Sequence, residues 1–255
     1  MCQQIMDKMV YTRLRHAFQS LLPSSCLCCE APGCGNVDIC AGCFRDLPRN
    51  EHACTTCALP VTVGQRECGR CQDQPPPFSR LVAPWRYAEP VDGLIQALKF
   101  RGQLPAGRLL GTLLARELFR RHATADVIVP LPLHRQRLRE RGFNQATEIA
   151  RCLPQRLGIP LRHDILRRAG GTIRQSQLGR RQRVTNIRGA FATTDSARGL
   201  RIALVDDVVT TGSTIEEAAR TLLRQGAVSV EVWAVARATL SPRDRHTGET
   251  EKETP

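Results

Sequence analysis

Apolar and amphipathic stretches alternate along the second two-thirds of the chain. Short runs of consecutive apolar residues are typical of strands buried on both faces of a parallel sheet, and they predict strands at 81–87, 126–129, 200–205 and 228–235. Apolar residues repeated every three or four positions predict helices at 91–100, 109–121, 143–157 and 214–225. Pro84 and Pro154 weaken the first strand and the third helix. This alternation predicts an α/β fold with a mainly parallel sheet flanked by helices.

The first third of the chain has few large apolar residues and is instead rich in cysteine. Four C-x-x-C pairs begin 14 residues apart: Cys26/Cys29, Cys40/Cys43, Cys54/Cys57 and Cys68/Cys71. A C-x-x-C turn directs two sulfurs to one side, and two such turns supply the four thiolates of a structural zinc site. The pattern predicts one or two zinc ions that supply folding free energy to a segment too small to bury a core. The spacing leaves open which pairs share an ion.

Three other cysteine chemistries compete with zinc. A thioredoxin-type redox motif is a single pair within a βαβ unit. Iron–sulfur clusters favour other spacings, although a cluster remains an alternative. Disulfides require an oxidising compartment, but the N-terminus lacks the apolar core of a signal peptide, and no apolar run approaches the ~20 residues that span a bilayer. These features predict a cytoplasmic protein without a membrane span, whose cysteines stay reduced.

A run of prolines separates two predicted domains. Residues 74–79 form a Pro-rich, semi-rigid linker between a cysteine-rich zinc-binding domain at 26–73 and the α/β domain at 80–240. Apolar residues at helical spacing predict an N-terminal helix within 1–25. The polar segment 241–255 has no periodicity and is predicted to be a disordered tail.

The chain is strongly basic, and its positive charge is concentrated in one segment. The formal net charge is +13, and residues 134–188 contain 14 arginines against three acidic residues. Arginine matches phosphate oxygens with a planar fork, so this segment is either a solvated basic face or a surface for phosphate esters or nucleic acid. Candidates for nucleic-acid contact lie in the long loop predicted at 167–188: Arg180, Arg181 and Arg183. Because aromatic residues are only 4% of the chain, contact with the phosphate backbone of a nucleic acid is favoured over stacking on its bases.

The predicted strand at 200–205 leads into two carboxylates and a loop rich in hydroxyl groups. Asp206 and Asp207 follow the strand, and residues 210–214 precede the next predicted helix with Thr, Thr, Gly, Ser and Thr. Amides at the start of a helix attract phosphate, and hydroxyl groups add further donors. Adjacent carboxylates suit the vicinal hydroxyls of a sugar, directly or through Mg²⁺. The alternative is a solubilising Asp-Asp pair before a capped helix, which leaves the hydroxyl cluster unexplained.

The segment 201–214 resembles the ribose-phosphate signature of type I phosphoribosyltransferases, which combines a hydrophobic strand, two acids, a short loop and T-G-x-T. The resemblance implies a type I phosphoribosyltransferase-like α/β fold that binds phosphoribosyl pyrophosphate with Mg²⁺. It implies that Asp206 and Asp207 hold the ribose hydroxyls. It assigns the 5′-phosphate to five loop residues: Thr210, Thr211, Gly212, Ser213 and Thr214. Purine-salvage members commonly carry an acid at the position of Thr210, so a purine acceptor lacks its general base here.

A narrower resemblance covers nearly the whole chain. A cysteine-pair domain joined to such an α/β domain is similar to the ComF family, which includes ComFC and GntX-like proteins. The matching motifs are Leu98-Lys99-Phe100 with Gly102, Pro130-Leu131-Pro132-Leu133-His134, Arg137 to Ala146, and Gln175-Ser176-Gln177-Leu178 leading to Arg183, Asn186 and Gly189-Ala190-Phe191. The resemblance implies a small double zinc-ribbon-like domain before the α/β domain. It also implies a link to natural transformation and DNA uptake, without a settled reaction.

Basic residues in these motifs are candidates for pyrophosphate binding: Lys99, Arg137 and Arg141. The two arginines follow the predicted strand at 126–129, where the equivalent loop of phosphoribosyltransferases touches pyrophosphate. Two functions remain open, and neither assigns a catalytic residue. One is a phosphoribosyltransferase; the other is a non-catalytic single-stranded-DNA-binding factor that uses phosphoribosyl pyrophosphate as ligand or regulator. A third hypothesis is an adaptor whose zinc domain docks a competence helicase-like protein.

Overall fold

The computed structural model describes residues 24–35, 37–169 and 189–239. Predicted features outside these ranges include the tail at 241–255, all but the last residues of the N-terminal helix expected within 1–25, and the candidates for nucleic-acid contact. Within the described ranges, no helix combines the length and the apolar character needed to cross a bilayer.

Packing divides the chain into two compact units, residues 1–47 and residues 48–255. The domain boundary predicted at 74–79 is a different division and stays a prediction. The difference arises because the second half of the cysteine-rich segment packs into the α/β core. Cys54 and Cys71 are buried in the same cluster as the hydrophobic residues of the central sheet. The second pair of C-x-x-C turns therefore belongs to the compact unit that contains the α/β sheet.

The central sheet is parallel, as the alternation of strands and helices predicts. The strands are β1 (Arg80–Val82), β2 (Trp85–Arg86), β3 (Val127–Pro130), β4 (Leu166–Arg168), β5 (Phe191–Thr193), β6 (Arg201–Val209) and β7 (Ser229–Arg237). The order β1–β7–β6–β3 forms the central sheet, in which β2 also pairs with β7. Strands β4 and β5 form a separate antiparallel pair. Residues 202–205 and 232–236 are almost completely buried, which explains their unbroken apolar sequence.

The described helices include longer ones that connect the strands and bury apolar side chains, and two short ones, at 41–45 and 135–141, that contain no buried residue. In chain order the helices are α1 (Ala41–Arg45), α2 (Gly69–Asp73), α3 (Val91–Arg101), α4 (Leu104–Arg120), α5 (Arg135–Arg141), α6 (Gln145–Ala150), α7 (Leu153–Leu157) and α8 (Ser213–Arg224). Helix α6 contacts β3 and β6, while α8 contacts β5, β6 and β7. These two helices bring polar residues at their N-termini to the end of β6.

Several elements differ from their sequence-based predictions for local reasons. The predicted strand at 81–87 is divided into β1 and β2 around Pro84, which lacks an N–H group for the ladder. The predicted helix at 143–157 forms two helices, and α7 carries Pro154 in its first turn, where proline is tolerated. Helix α4 begins five residues earlier than predicted, with Pro105 in its first turn. Helix α5 escapes prediction because Leu138 is its one apolar residue, and Gly142, at φ 78°, ends it.

Candidate functional site

The paired cysteines form two clusters, each made by neighbouring pairs. The first contains Cys26, Cys29, Cys40 and Cys43, and the second contains Cys54, Cys57, Cys68 and Cys71. Within each cluster all sulfur atoms lie within 4.8 Å of one another. The Cys29 and Cys40 sulfurs are 3.7 Å apart, and those of Cys57 and Cys68 are 3.6 Å apart. A tetrahedral Zn–S site with bonds of ~2.3 Å separates its sulfurs by about 3.8 Å, so the donor sets fit two zinc ions.

The two clusters lie in structural repeats that are offset by 28 residues. In each repeat the N–H of the first cysteine donates to the carbonyl five residues later, at 2.8 Å for Cys26 and 2.7 Å for Cys54. The turn after the first pair places Glu30 at φ 63° and Ala58 at φ 55°, both left-handed. A short helix, α1 or α2, then carries the last cysteine of each cluster. We call residues 25–45 the first ribbon and residues 53–73 the second ribbon.

Backbone N–H groups favour ionisation of the first cysteine in each ribbon. Burial opposes ionisation of Cys26, but N–H groups led by that of Cys40 outweigh it and lower the pKa of Cys26 to about 6. Burial is also outweighed at Cys54, where N–H groups led by that of Cys68 lower the pKa to about 7. Because the thiolate is the form that binds metal, the first cysteine of each ribbon is the more readily ionised ligand, whereas burial raises the pKa of Cys57 to about 11 and neighbouring thiols raise that of Cys43.

Elemental analysis is expected to find two zinc ions per chain in protein purified without chelator. The double change Cys29→Ser and Cys40→Ser removes two of the four ligands of the first cluster and should reduce the content to one, because the second cluster lies in the other compact unit. Fewer than one zinc ion per unmodified chain, or iron in its place, would contradict this assignment.

The two predicted carboxylates lie inside β6, beyond the end of its neighbour β3. Strand β3 ends at Pro130, which is in register with Val205, whereas the pairing of β6 with β7 continues to Val209. The sequence predicts that the strand ends at residue 205, before the acids. The strand is longer because β7 continues to supply a partner. Asp206 and Asp207 therefore occupy the edge of β6 that the shorter β3 leaves uncovered.

Asp206 is partly exposed, although the protein packs closely around its carboxylate. One of its carboxylate oxygens accepts the N–H of Asp207 at 2.9 Å. Burial and the adjacent Asp207 carboxylate raise the pKa of Asp206 well above its usual value, while Lys99 acts in the opposite direction. This position therefore favours a proton, a hydroxyl donor or a cation next to the Asp206 carboxylate.

Asp207 is only 3% exposed and forms an ion pair with Lys99. Gln145 Nε2 donates to its Oδ1 at 3.5 Å, and Arg141 Nη1 donates to the Gln145 side-chain oxygen at 3.1 Å. Lys99, a candidate for pyrophosphate binding, thus pairs with Asp207, a candidate for ribose binding. Gln145 thus contacts a candidate site residue through its side-chain amide, although the sequence analysis assigns it no role. Asn144 is the residue that caps α6, since its side chain accepts the Ala146 N–H at 3.1 Å.

The hydroxyl-rich loop joins β6 to α8 and brings the five predicted phosphate-binding residues together. Gly212 lies at φ 86°, a left-handed conformation that favours glycine, and Ser213 and Thr214 begin α8. The Thr211 and Ser213 hydroxyl oxygens are 3.2 Å apart. Within the described part of the chain, the N–H groups of Thr210, Thr211 and Gly212 donate to no protein acceptor. Free N–H groups before a twelve-residue helix are well suited to an anion.

An open cavity of about 610 Å³ adjoins the Lys99–Asp207 pair. Its lining residues are Tyr87, Lys99, Phe100, Gly102, Arg137, Glu140, Arg141 and Phe143. The three candidates for pyrophosphate therefore lie along one cleft. Phe100 is 72% exposed, and the Arg141 guanidinium lies 5.3 Å from the centre of its ring. The candidates for nucleic-acid contact, Arg180, Arg181 and Arg183, fall outside the described residues.

Two arginines that the sequence analysis does not single out contact the loop. Arg237, at the end of β7, is 2% exposed and donates to the carbonyls of Val209 and Thr210. Arg70, on α2, donates to the Thr211 carbonyl at 2.8 Å. For Arg237 the sequence contains one signal, an arginine directly after the apolar run that forms β7; for Arg70 it contains none.

The chain matches two family descriptions and is similar to several characterised proteins. Residues 17–72 match a double zinc ribbon domain, and residues 113–254 match a phosphoribosyl transferase domain. The chain is 36% identical over 222 residues to the DNA utilization protein YhgH of Escherichia coli K12, covering 85% of this chain and 98% of that protein. It is 34% identical over 208 residues to competence protein F of Haemophilus influenzae, covering 78% and 90%. Competence protein ComFC of Bacillus subtilis is 38% identical over 113 residues, covering 44% of this chain and 45% of that protein.

Proposed function

Because the chain belongs to the ComF family, in which a double zinc ribbon precedes a phosphoribosyltransferase domain, we propose that it binds phosphoribosyl pyrophosphate with Mg²⁺ at the end of β6. The observation that carries the proposal is the arrangement around Asp206. Asp206 lies on the part of β6 beyond the end of β3, and N–H groups that donate to no described acceptor follow it in the loop. A basic cleft lies beside its neighbour Asp207. Sugar, phosphate and pyrophosphate groups each have a chemically matched surface.

In this proposal the parts of the ligand are divided among three surfaces. Asp206 and Asp207 hold the ribose hydroxyls, and residues 210–214 hold the 5′-phosphate. Arg137, Arg141 and Lys99 bind pyrophosphate oxygens, for which the guanidinium fork is well matched. When the ligand binds, Lys99 must then leave Asp207 and pair with the pyrophosphate. The ribose hydroxyls replace Lys99 as hydrogen-bond donors to the buried Asp207 carboxylate. Bound Mg²⁺ would neutralise the pyrophosphate charge, and the partly exposed Asp206 carboxylate would be the group best placed to hold its water shell.

Thermal unfolding with and without the ligand tests the proposed site. At a concentration 100 times the dissociation constant, phosphoribosyl pyrophosphate with Mg²⁺ is expected to stabilise the protein by about 2.7 kcal/mol, or roughly 5–11 °C. The double change Asp206→Asn and Asp207→Asn removes the charges that receive the sugar and should abolish the shift. Asp164→Asn serves as the control, because Asp164 is 58% exposed and paired with Arg162 away from this loop. Absence of a shift in the unmodified protein would defeat the proposal.

A second candidate function is the handling of single-stranded DNA without catalysis, with phosphoribosyl pyrophosphate as ligand or regulator. It is favoured by the names of two relatives, a DNA utilization protein and a competence protein, and by the net charge of +13. Pyrophosphate release in the presence of bound ligand and acceptor distinguishes the functions. Release supports transfer, in which the bond from the anomeric carbon to pyrophosphate breaks, pyrophosphate leaves with the bonding electrons, and a bond from that carbon to a nucleophilic atom of the acceptor forms. Binding without release supports the DNA-handling role.

A further inference from the structure

Two arginine side chains, Arg70 of the second ribbon and Arg237 of β7, connect that ribbon to the hydroxyl-rich loop at 210–214, which we call the phosphate loop. Arg237 donates Nε to the Cys57 carbonyl at 3.0 Å and Nη1 to the Val209 carbonyl at 2.7 Å. A third bond from Arg237 Nη1 reaches the Thr210 carbonyl. One buried guanidinium therefore joins the backbone of a zinc-ligand turn to the backbone of the loop.

Arg70 makes the second connection, from helix α2, which carries one cysteine of the second cluster and directly follows another. Helix α2 includes Cys71 and follows Cys68, so metal binding at both cysteines holds this helix in place. From α2, Arg70 Nη1 donates to the Thr211 carbonyl at 2.8 Å, and Nη2 pairs with Glu216 on the first turn of α8. Arg70 thus engages the loop and the helix that follows it.

These contacts determine which way the loop peptides point. The carbonyls of three successive residues, Val209, Thr210 and Thr211, are held by Arg237 and Arg70. In a planar trans peptide the following N–H points opposite to the carbonyl. The N–H groups that follow these carbonyls are therefore turned away from the ribbon, and they are the ones that donate to no described acceptor.

We infer that the second ribbon is a positioning element for the phosphate loop and that Arg70 is a positioning residue for the ligand's 5′-phosphate. This inference rests on the proposed function. Through Arg70 the ribbon holds the Thr211 carbonyl, and through the Cys57 carbonyl it fixes Arg237 of β7, which holds the Val209 and Thr210 carbonyls. The N–H groups that follow these carbonyls are thereby presented to the anion on the other side of the loop. In this arrangement the second zinc site supports ligand binding in the same compact unit, in addition to stabilising its own turns.

The chain offers a matched pair of variants for the test. Arg70 and Arg220 both pair with Glu216, and their side chains are 51% and 50% exposed. Removing either one costs a positive charge and the pair with Glu216, and Arg220→Ala also loses a 3.9 Å contact with Glu217, but only Arg70 contacts a loop carbonyl. Arg70→Ala is expected to raise the dissociation constants of phosphoribosyl pyrophosphate and ribose 5-phosphate about tenfold, because a charge-assisted hydrogen bond that orients the loop is lost. Arg220→Ala should change them less than about twofold.

Three further readouts separate positioning from general destabilisation. Affinity for inorganic pyrophosphate should not change in Arg70→Ala, because that anion binds at the cleft and not at the loop. Zinc content and the unfolding temperature without ligand should equal those of Arg220→Ala. Arg70→Lys should recover part of the affinity, since an ammonium can engage one of the two partners but lacks the fork that reaches both.

The outcomes distinguish the inference from the proposed function. If the unmodified protein does not bind phosphoribosyl pyrophosphate, both are overturned. If it binds and the two alanine variants bind equally well, the function stands and the positioning role is overturned. A loss of zinc from Arg70→Ala would also overturn it, because Arg70 would then act through retention of the metal.

Discussion

Lys99→Met is expected to lower the free energy of unfolding by about 3 kcal/mol, which corresponds to a fall in Tm of roughly 6–12 °C. The change removes the ion-pair partner of Asp207, whose side chain is 4% exposed, and leaves that carboxylate buried without its compensating charge. Methionine retains most of the aliphatic volume of lysine, so the loss of stability comes from removal of the charge and not from a cavity. Thermal and denaturant unfolding at pH 7 without ligand measure the effect.

Two variants control this prediction. Arg101→Met removes a positive charge from the exposed end of the same helix, α3, and should change stability by no more than about 0.5 kcal/mol. Adding Asp207→Asn to Lys99→Met removes the buried charge and should restore most of the lost stability, so the two changes are strongly non-additive. If Lys99→Met is as stable as Arg101→Met, the Lys99–Asp207 pair does not compensate a buried charge.

Asp206→Asn is expected to stabilise the ligand-free protein at neutral pH while abolishing the proposed ligand binding. Burial and the Asp207 carboxylate raise the pKa of Asp206 well above its usual 3.8 in the folded protein. Between the unfolded and the folded pKa, the folded protein binds a proton that the unfolded chain has released, so stability falls as pH rises through this window. Asparagine carries no charge and removes this loss. Each kcal/mol recovered raises Tm by about 2–4 °C.

The pH dependence makes the Asp206 prediction specific. The difference in Tm between Asp206→Asn and the unmodified protein should be small at pH 4 and should increase toward pH 8. For Asp126→Asn the difference in Tm should instead be constant above about pH 5 and should shrink only as the pH falls below about 4. Hydrogen bonds from Arg201 lower the pKa of Asp126, so its carboxylate contributes stability above the unfolded pKa that is lost as pH falls. A pH-independent difference for Asp206→Asn would contradict the proposed origin of the shift.

The two predictions describe one arrangement with a functional consequence. Without ligand, Asp206 is destabilising when ionised, and Asp207 is compensated by Lys99, a residue that the proposed function assigns to pyrophosphate. The ligand would supply hydroxyl donors to both carboxylates and an anion to Lys99. A site that lacks its best partners in the free protein commonly trades stability for binding.

Much of the fold could be predicted from local pattern. The apolar runs predict β6 and β7, and the helical spacing predicts α8 to within one residue at each end. Buried parallel strands and amphipathic helices impose their periods on the chain directly, so these elements are visible without tertiary information. The double zinc ribbon and the phosphoribosyltransferase domain, both expected from motifs, are confirmed by the family comparisons. The assignment of ligand groups to Asp206, Asp207 and the loop stays a prediction.

Other features depend on packing and left no local signal. The charged sequence of α5 has no apolar periodicity from which the helix could be predicted. The end of β6 depends on how far β7 extends beside it. The even spacing of the cysteines permits several pairings, and only the folded turns show that neighbouring pairs share a site. The division of the chain after Leu47 follows from burial of the second ribbon in the α/β core, which the prolines at 75–77 do not reveal.

By itself, the sequence determines the chemistry available to this protein: eight thiolates in regular pairs, two adjacent carboxylates, a hydroxyl-rich loop and a basic segment. Only the tertiary structure decides which of these groups meet. Arg70 and the Thr211 carbonyl are separated by 141 residues, and Arg237 and the Cys57 carbonyl by 180. Periodicity extends over a few residues along one element, whereas such contacts arise when separate elements pack on the same sheet. The support of the loop by the second ribbon is therefore a property of the fold, not of any one segment.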